Sequence, residues 1–240
     1  MVTKNLKTMP FKRTIDSSYP NVYETWTTDE TTWVIQDLRP EDDDEAIKIL
    51  LENLCTDETL CKIQKLAEDP ASLEGSRESW RVCLAQRMSL GCYQVKGGQK
   101  TLVALNVCIA LGVGEELDFE VKGEKWKNVY DVVHFVEHQA DPYKYMDLPI
   151  ILHALGLVVK REYRGAKLGK RLLAAREPLC KTQDIKGTAT IFTGIASQKL
   201  AASCGFETIF EFPISKLTDE GYPYPKDDHR VLKYMVKKFF

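Results

Sequence analysis

The sequence lacks the features that mark secreted, membrane-bound and nucleic-acid-binding proteins. Its seven cysteines are scattered with no C-x-x-C pair, no N-x-Ser/Thr sequon occurs, and residues 1–7 lack the apolar segment of a signal peptide. No apolar run approaches the roughly 20 residues of a membrane-spanning helix. The 33 basic and 35 acidic residues give a net charge of −2, which leaves no excess positive charge for nucleic acid. We therefore expect a cytoplasmic protein with reduced thiols and no nucleic acid or membrane partner.

Length and composition predict one globular domain with an N-terminal arm. The chain has 240 residues, of which 44% are hydrophobic and 28% charged, the usual balance of a protein that buries its own core. Residues 1–29 are polar and carry Pro10 and Pro20, and we expect an irregular arm that packs on the core through Tyr23 and Trp26. Residues 30–240 contain no linker-like stretch and are predicted to form a single domain.

Hydrophobic periodicity predicts strands and helices in mixed order. An acidic run at residues 41–45 is typical of a helix start, because carboxylates there offset the helix dipole. The Gly97-Gly98 pair predicts a hairpin. The predicted strands are 32–38, 90–95, 101–111, 150–159, 188–192, 207–212 and 231–239, and further helices are predicted at 76–88, 125–139, 166–179 and 197–203. This order indicates an α/β fold of mixed α+β character, with a central mixed β-sheet flanked by helices.

A strand, a glycine-containing loop and a helix in succession predict an anion site. The apolar strand 150–159 runs into a loop that holds Gly165, Gly169 and several cations, and a helix is expected to follow. Such a turn presents free backbone N–H groups at the positive end of a helix, which suits a pyrophosphate. A P-loop does not fit, because only three residues separate the two glycines. The other glycine pair, Gly112 and Gly114, lacks the third glycine of a dinucleotide fingerprint.

The loop resembles the hallmark of the GCN5-related N-acetyltransferase (GNAT) superfamily, the pattern Q/R-x-x-G-x-G/A after the fourth strand. Arg164 and Gly169 occupy its first and last positions, while Lys167 replaces the first motif glycine. Residues 193–206 are similar to a later GNAT motif, in which a helix that ends in Gly-Phe lies along the pantetheine arm. The resemblance implies a single GNAT-fold domain that binds acetyl-CoA as cosubstrate and needs no metal.

The resemblance also implies which residues bind the cosubstrate. In GNAT proteins the loop binds the pyrophosphate, and a backbone N–H of the preceding strand, here around Leu157 or Val158, polarises the acetyl carbonyl. The expected cofactor-binding residues are Leu157, Val158, Val159, Arg164, Gly165, Ala166, Lys167, Leu168, Gly169 and Lys170.

Within the superfamily the chain most resembles the insect arylalkylamine N-acetyltransferases. Their acidic motif D-E-P-L corresponds to residues 57–60, with Thr59 in place of proline. The resemblance makes Glu58 the general base and matches Thr193 and Ser197 to two active-site serines. It implies direct acetyl transfer to a primary amine such as dopamine, serotonin or tyramine, by a monomer or weak dimer. Polyamines, agmatine and other amines stay open as substrates, as does a CoA-binding sensor that has lost catalysis.

Two further motifs have competing interpretations. Residues 134–138 read H-x-x-E-H, a zinc-peptidase pattern, with His134 and His138 on one helix face. Glu137 lies about 100° from His138 around a helix. Because no further acidic ligand is evident, we predict an exposed histidine pair and no metal site. The Tyr-Pro-Tyr-Pro loop at residues 222–225 could line the amine pocket or serve as a rigid turn.

Overall fold

Eight strands and nine α-helices lie in the part of the chain that the computed structural model describes, residues 11–29 and 31–240. Residues 1–10 of the expected arm, and Glu30, lie outside the described residues. The strands are β1 Val22–Thr28, β2 Thr31–Asp37, β3 Leu90–Lys96, β4 Gln99–Gly112, β5 Ile150–Val159, β6 Gly187–Phe192, β7 Glu207–Pro213 and β8 Val231–Lys238. The helices are α1 Asp43–Ile49, α2 Cys55–Asp57, α3 Thr59–Gln64, α4 Pro70–Ala85, α5 Glu124–Glu137, α6 Pro142–Met146, α7 Leu168–Ala174, α8 Arg176–Lys181 and α9 Ile195–Ser203, and a π-helical turn, Leu50–Leu54, joins α1 to α2.

All eight strands form one mixed sheet in the order β1-β2-β3-β4-β5-β6-β8-β7. Strands β1 to β5 pair antiparallel with their neighbours, β5 and β6 pair parallel, and β8 lies antiparallel between β6 and β7. The predicted Gly97-Gly98 hairpin joins β3 to β4. The predicted fold class, a single domain with a central mixed sheet flanked by helices, is confirmed.

Different helices cover the two faces of the sheet. Side chains alternate along β4, so that Leu105, Val107 and Ile109 pack in the cluster formed with α1, α3, α4 and α5. Cys108 and Ala110 pack in the cluster formed with α7 and α8. A strand covered on both faces is apolar throughout, which explains the long hydrophobic run of β4.

Part of the segment expected to be an irregular arm, residues Val22–Thr28, instead forms strand β1. Its sequence, VYETWTT, is rich in β-branched and aromatic residues, and it pairs with β2 at the edge of the sheet. Trp26 stacks on Trp33 of β2 with ring centroids 6.1 Å apart. Tyr23 and Trp26 both pack on the buried cluster beneath them, as the sequence predicts. Cross-strand aromatic packing therefore orders a segment whose polar residues suggest a loop.

Two helices differ from their predicted bounds. The helix predicted at 76–88 begins earlier, at Pro70, with Asp69 as its N-cap, because proline suits the first helical turn. The helix predicted at 166–179 is divided at Ala175 into α7 and α8. It starts only at Leu168, because Lys167 has a left-handed conformation with φ of 59°. The other predicted strands and helices are confirmed with small shifts at their ends.

The cysteines carry free thiols, and all of them except Cys204 are buried. Burial raises the pKa of Cys83 and of Cys92 to about 12, so these thiols stay protonated at neutral pH and are poor nucleophiles. None of the helices formed by the described residues has the length and apolar character needed to cross a membrane.

Candidate active site

Strands β5 and β6 separate soon after they begin, which opens a wedge at the centre of the sheet. Their parallel pairing consists of Leu152 with Thr188 and His153 with Ala189. Beyond these pairs β5 follows β4 while β6 follows β8, so the two strands diverge. The gap between residues 154–159 of β5 and 190–192 of β6 is here named the splay. Because the splay is open, residues 154–157 are half-buried, although the sequence predicts a strand covered on both faces.

A β-bulge in β5 lies at the base of the splay. Leu155 and Gly156 together lie opposite a single residue of β4, Val107. Gly156 has φ of 133°, and a Cβ at this position would lie 3.0 Å from Leu54 Cδ2. Both the conformation and the close approach therefore require glycine here.

Side chains from opposite faces of the sheet hold the two carbonyl groups of the bulge. Trp80 Nε1, from α4, donates a hydrogen bond to Leu155 O at 2.9 Å. Asn106 Nδ2, from β4, donates one to Gly156 O at 2.8 Å. The first bond holds the Leu155–Gly156 peptide, and the second holds the Gly156–Leu157 peptide.

The backbone N–H of Leu157 points into the splay. Lys160 N donates to Val103 O at 3.0 Å, which sets the phase of the antiparallel ladder between β4 and β5. Since successive N–H groups of a strand point to alternate sides, the N–H of Val158 faces β4, and those of Leu157 and Val159 face the diverging β6. Of the two N–H groups expected to polarise a carbonyl, the geometry therefore favours Leu157.

The loop after β5 presents backbone N–H groups without acceptors. A tight turn covers Arg161–Tyr163, Gly165 has φ of 89°, and α7 begins at Leu168. Within residues 11–29 and 31–240, the N–H groups of residues 165–169 form no hydrogen bond. The exposed side chains of Lys167 and Lys170 add positive charge. Free N–H groups among cations are the arrangement that binds phosphate oxygens.

Asp57 connects this loop to the segment that carries Glu58. Its carboxylate accepts hydrogen bonds from Arg161 Nη2 at 2.9 Å and from Arg164 Nη2 at 2.7 Å. Bonds from Arg161 and then Arg164 lower the pKa of Asp57 to about 2. The two parts of the site that the sequence predicts separately are thus adjacent.

Glu58 and Thr193 are in direct contact just beyond the end of β6. Glu58 Oε1 accepts a hydrogen bond from Thr193 Oγ1, and Glu58 Oε2 accepts one from Cys61 N at 2.8 Å, which caps α3. Ser197 lies nearby on α9, and its Oγ donates to Gly194 O at 2.8 Å. The structure thus brings Glu58 and Thr193 into contact, although they are 135 positions apart, and Ser197 binds the residue that follows Thr193.

Comparison with solved structures shows which proteins of known structure this chain resembles. A mosquito protein named arylalkylamine N-acetyltransferase 7, from Aedes aegypti, superimposes with a TM-score of 0.88 and 26% identity, covering 96% of this chain and 100% of that chain. The protein has the GNAT fold and resembles the insect arylalkylamine N-acetyltransferases.

Two more distant structures share the GNAT fold. Arylalkylamine N-acetyltransferase 2 from Aedes aegypti gives a TM-score of 0.75 at 19% identity, covering 87% of this chain and 99% of that chain. The Drosophila melanogaster polyamine N-acetyltransferase, which forms N-acetylagmatine, gives 0.69 at 17% identity, covering 86% of this chain and 99% of that chain. At these identities the likeness concerns the fold alone. No family model matches the sequence, and no curated protein matches it.

Lys167, which replaces the first glycine of the GNAT loop motif, has a left-handed backbone conformation. Lys167 has φ of 59°, a conformation that glycine adopts readily and other residues rarely. Glycine could therefore replace Lys167 without a change in the backbone. At Gly169 a Cβ would be in ordinary contact with Leu157 Cδ2, at 3.5 Å, so this glycine is not required by packing alone.

The Tyr-Pro-Tyr-Pro loop packs beside Glu58. Tyr224 is buried, and its Oη donates to Asn128 O at 3.3 Å. Burial, and then the negative charge of Glu58, raise the pKa of Tyr224. Tyr222 instead packs on Phe135 of α5, with ring centroids 5.5 Å apart. Tyr222 therefore packs on α5, and Tyr224 is buried in the region of Glu58.

The histidine pair of α5 lies apart from this site. The rings of His134 and His138 are 4.0 Å apart, and His138 Nδ1 lies 2.8 Å from His134 O. Burial and the neighbouring His138 lower the pKa of His134. No three His, Cys, Asp or Glu side chains in the described ranges are arranged to hold a metal ion.

Sequence reasoning missed a polar group on the α7–α8 face of the splay. Arg176 of α8 is 1% exposed, and its Nε donates to Asn106 Oδ1 at 2.8 Å. Its Nη1 donates to Thr190 Oγ1 at 2.8 Å and to Thr188 Oγ1 at 3.3 Å. The available signal was Asn106 itself, a polar residue inside the apolar run of β4.

Proposed function

We propose that the protein is an acetyl-CoA-dependent N-acetyltransferase that acetylates a primary amine. The observation that carries the proposal is the contact between Glu58 and Thr193 beside a splay that presents the free N–H of Leu157. A base and a carbonyl-binding N–H at one cleft are the two groups that amide formation from a thioester needs. The resemblance to the mosquito arylalkylamine N-acetyltransferase 7 supports this assignment.

The loop and β5 suit the two ends of the cosubstrate. The free N–H groups of residues 165–169, with Lys167 and Lys170, are proposed to bind the pyrophosphate. Leu157 and Val159 offer N–H groups to the pantetheine arm and the acetyl carbonyl along the splay. Acetyl-CoA, when bound, supplies an acetyl group activated as a thioester. We propose no metal in this site.

Glu58 is the proposed general base. An alkylammonium titrates near pH 10, so almost all of the amine is protonated at pH 7 and cannot attack a thioester. Glu58 accepts the proton, the amine nitrogen bonds to the acetyl carbon, and the carbon–sulfur bond breaks. The N–H of Leu157 stabilises the negative charge on the carbonyl oxygen. The hydroxyls of Thr193, which already donates to Glu58, and of Ser197 relay the second proton lost by the amine nitrogen to the departing thiolate, and Glu58 releases the first proton to solvent.

Arylalkylamines are the proposed substrate class, and polyamines and agmatine are the alternative. The mosquito arylalkylamine N-acetyltransferase 7 has the higher identity, 26%, while the polyamine N-acetyltransferase of Drosophila melanogaster has 17%. We propose that the protein acts on a small-molecule amine as a monomer or weak dimer.

The test is a panel of amines assayed with the purified protein. Tyramine, dopamine, serotonin, spermidine and agmatine are each incubated with acetyl-CoA, and thiol release is measured beside calorimetric titration of CoA. We expect CoA binding and acetylation of at least one arylalkylamine at a higher kcat/KM than of the polyamines. CoA binding without turnover of any amine would instead favour a sensor, and no CoA binding would refute both.

A further inference from the structure

Arg176 is a buried cation whose partners are neutral. Its guanidinium donates only to amide and hydroxyl oxygens, and the ionisable groups that act on its pKa are the thiols of three cysteines. Among residues 11–29 and 31–240 no carboxylate forms an ion pair with it. The other buried arginine, Arg13, instead pairs with Asp37 at 2.7 Å. Moving a charge out of water without a counter-charge destabilises the folded state, so an apolar side chain at position 176 would leave the fold more stable.

The hydrogen bonds of Arg176 lead directly to the bulge of β5. Arg176 Nε donates to Asn106 Oδ1, and the Nδ2 of the same amide donates to Gly156 O. The guanidinium also holds Thr190 on β6. It therefore connects β6 to Asn106 on β4, and Asn106 in turn binds the bulge of β5. Because Nε holds the amide oxygen, the Asn106 Nδ2 faces Gly156 O.

The Gly156 carbonyl and the Leu157 N–H belong to the same peptide unit. The carbonyl points to β4, where Asn106 binds it, and the N–H points into the splay. A hydrogen bond to the carbonyl of a peptide polarises the whole unit and makes its N–H a stronger donor. A positive charge behind the bonded amide strengthens this effect, because charge-assisted bonds are stronger than neutral ones.

We propose that Arg176 and Asn106 form a relay that orients and polarises the Gly156–Leu157 peptide, so that the Leu157 N–H binds the acetyl carbonyl. Both are positioning residues, since neither touches the carbonyl itself. The relay accounts for a buried charge without a carboxylate, because a carboxylate partner would cancel the field at the peptide. This inference rests on the proposed function.

Asn106→Asp is the decisive variant. It keeps the shape of the side chain and gives Arg176 a counter-charge, so we expect the variant to fold. The new carboxylate cannot donate a hydrogen bond to Gly156 O. Arg176→Met removes the positive charge, whereas Arg176→Lys keeps it. Trp80→Phe is the matched control, because it removes the hydrogen bond to Leu155 O, the other carbonyl of the bulge, and leaves the Gly156–Leu157 peptide alone.

The measurements are kcat, KM for acetyl-CoA, and the infrared frequency of the carbonyl in bound acetyl-CoA labelled with carbon-13. Losing an entire oxyanion-binding donor lowers kcat by about 10²–10³-fold, so a weakened donor should lower it by about tenfold or more. We expect this loss in Asn106→Asp and Arg176→Met, with KM within about threefold of wild type and a carbonyl frequency closer to that of free acetyl-CoA. Arg176→Lys and Trp80→Phe should stay within about threefold in kcat.

Each outcome decides the proposal. Wild-type kcat and carbonyl frequency in a folded Asn106→Asp variant would overturn the relay while leaving the proposed function intact. Equal losses in Trp80→Phe would overturn it as well, because the effect would then belong to the bulge in general. If Arg176→Met does not fold, Asn106→Asp and Arg176→Lys still decide. If the wild type binds no acetyl-CoA, the proposed function fails and the relay fails with it.

Discussion

Replacing Glu58 tests two roles that the structure gives to one carboxylate. One oxygen accepts from Thr193 Oγ1, and the other caps α3 through Cys61 N at 2.8 Å. Glu58→Ala removes both the base and the cap. Glu58→Asn removes the base but leaves a side-chain oxygen of the type that caps helices well. The two variants therefore share a loss of turnover and differ in stability.

The expected magnitudes follow from these two contacts. Loss of an N-cap costs about 1 kcal/mol, which lowers the Tm of a chain of this size by about 2–4 °C in Glu58→Ala and by less in Glu58→Asn. Loss of a general base lowers turnover by about 10²-fold or more at pH 7 in both. About one part in 10³ of an amine with a pKa near 10 is neutral at pH 7, and about one part in 10 at pH 9. The defect should therefore shrink as the pH rises.

The assay is thiol release with acetyl-CoA and the best amine of the panel, from pH 6.5 to 9.5, beside thermal unfolding. Asp69→Ala is the control for stability alone, because Asp69 caps α4 through Ala71 N at 3.2 Å and has no place in the proposed mechanism. It should lose a similar amount of Tm and retain turnover. Turnover of Glu58→Asn within threefold of wild type at pH 7 would remove Glu58 from the mechanism.

Three further predictions concern the loop and the core. Gly169→Asp should weaken CoA binding in calorimetry by about tenfold or more through its negative charge. Gly169→Ala, which packing allows, should bind CoA within about threefold of wild type, and equal CoA binding by the two variants would argue against the pyrophosphate site. Lys167→Gly should raise the free energy of unfolding by about 0.5–1 kcal/mol, because it relieves a left-handed conformation, and a lower Tm would contradict this. Burial lowers the pKa of His153 to about 4, so the unfolded state binds the proton first and stability falls as the pH decreases from about 6.5 to about 4. His153→Gln should remove roughly 1–3 kcal/mol of that pH dependence in urea unfolding, and an unchanged slope would show that His153 does not titrate this way.

Local patterns predicted much of the secondary structure. The apolar run of β5 is confirmed at both ends, and the Gly97-Gly98 hairpin lies where expected. The break at Ala175 was not predictable, because the residues around it favour a continuous helix and only tertiary packing divides α7 from α8. Strand β1 was missed because its pairing depends on a partner, Trp33, rather than on its own periodicity.

The site was predictable only where motifs mark it. The loop from Arg164 to Gly169 matches a sequence motif, and the structure shows a turn there whose N–H groups at residues 165–169 have no acceptor among the described residues. The contact of Glu58 with Thr193 joins distant segments, so the resemblance suggested the pair while the residues alone did not. The splay and Arg176 had no sequence signal of their own, because both depend on where two strands stop pairing.

The short pairing between β5 and β6, which consists of two residue pairs, also affects how the molecule unfolds. Strands β1 to β5 are continuous antiparallel neighbours, and β6 to β8 form a second antiparallel group, so the sheet consists of two antiparallel units joined along a narrow seam. Local opening follows such seams, because they hold few backbone hydrogen bonds. A ligand held in the splay would contact both units at once and couple them, since binding to the native state alone stabilises it. Occupancy of the cleft would then set how cooperatively the whole chain unfolds, and hydrogen exchange at the edges of β5 and β6 would be slowest when the cleft is full.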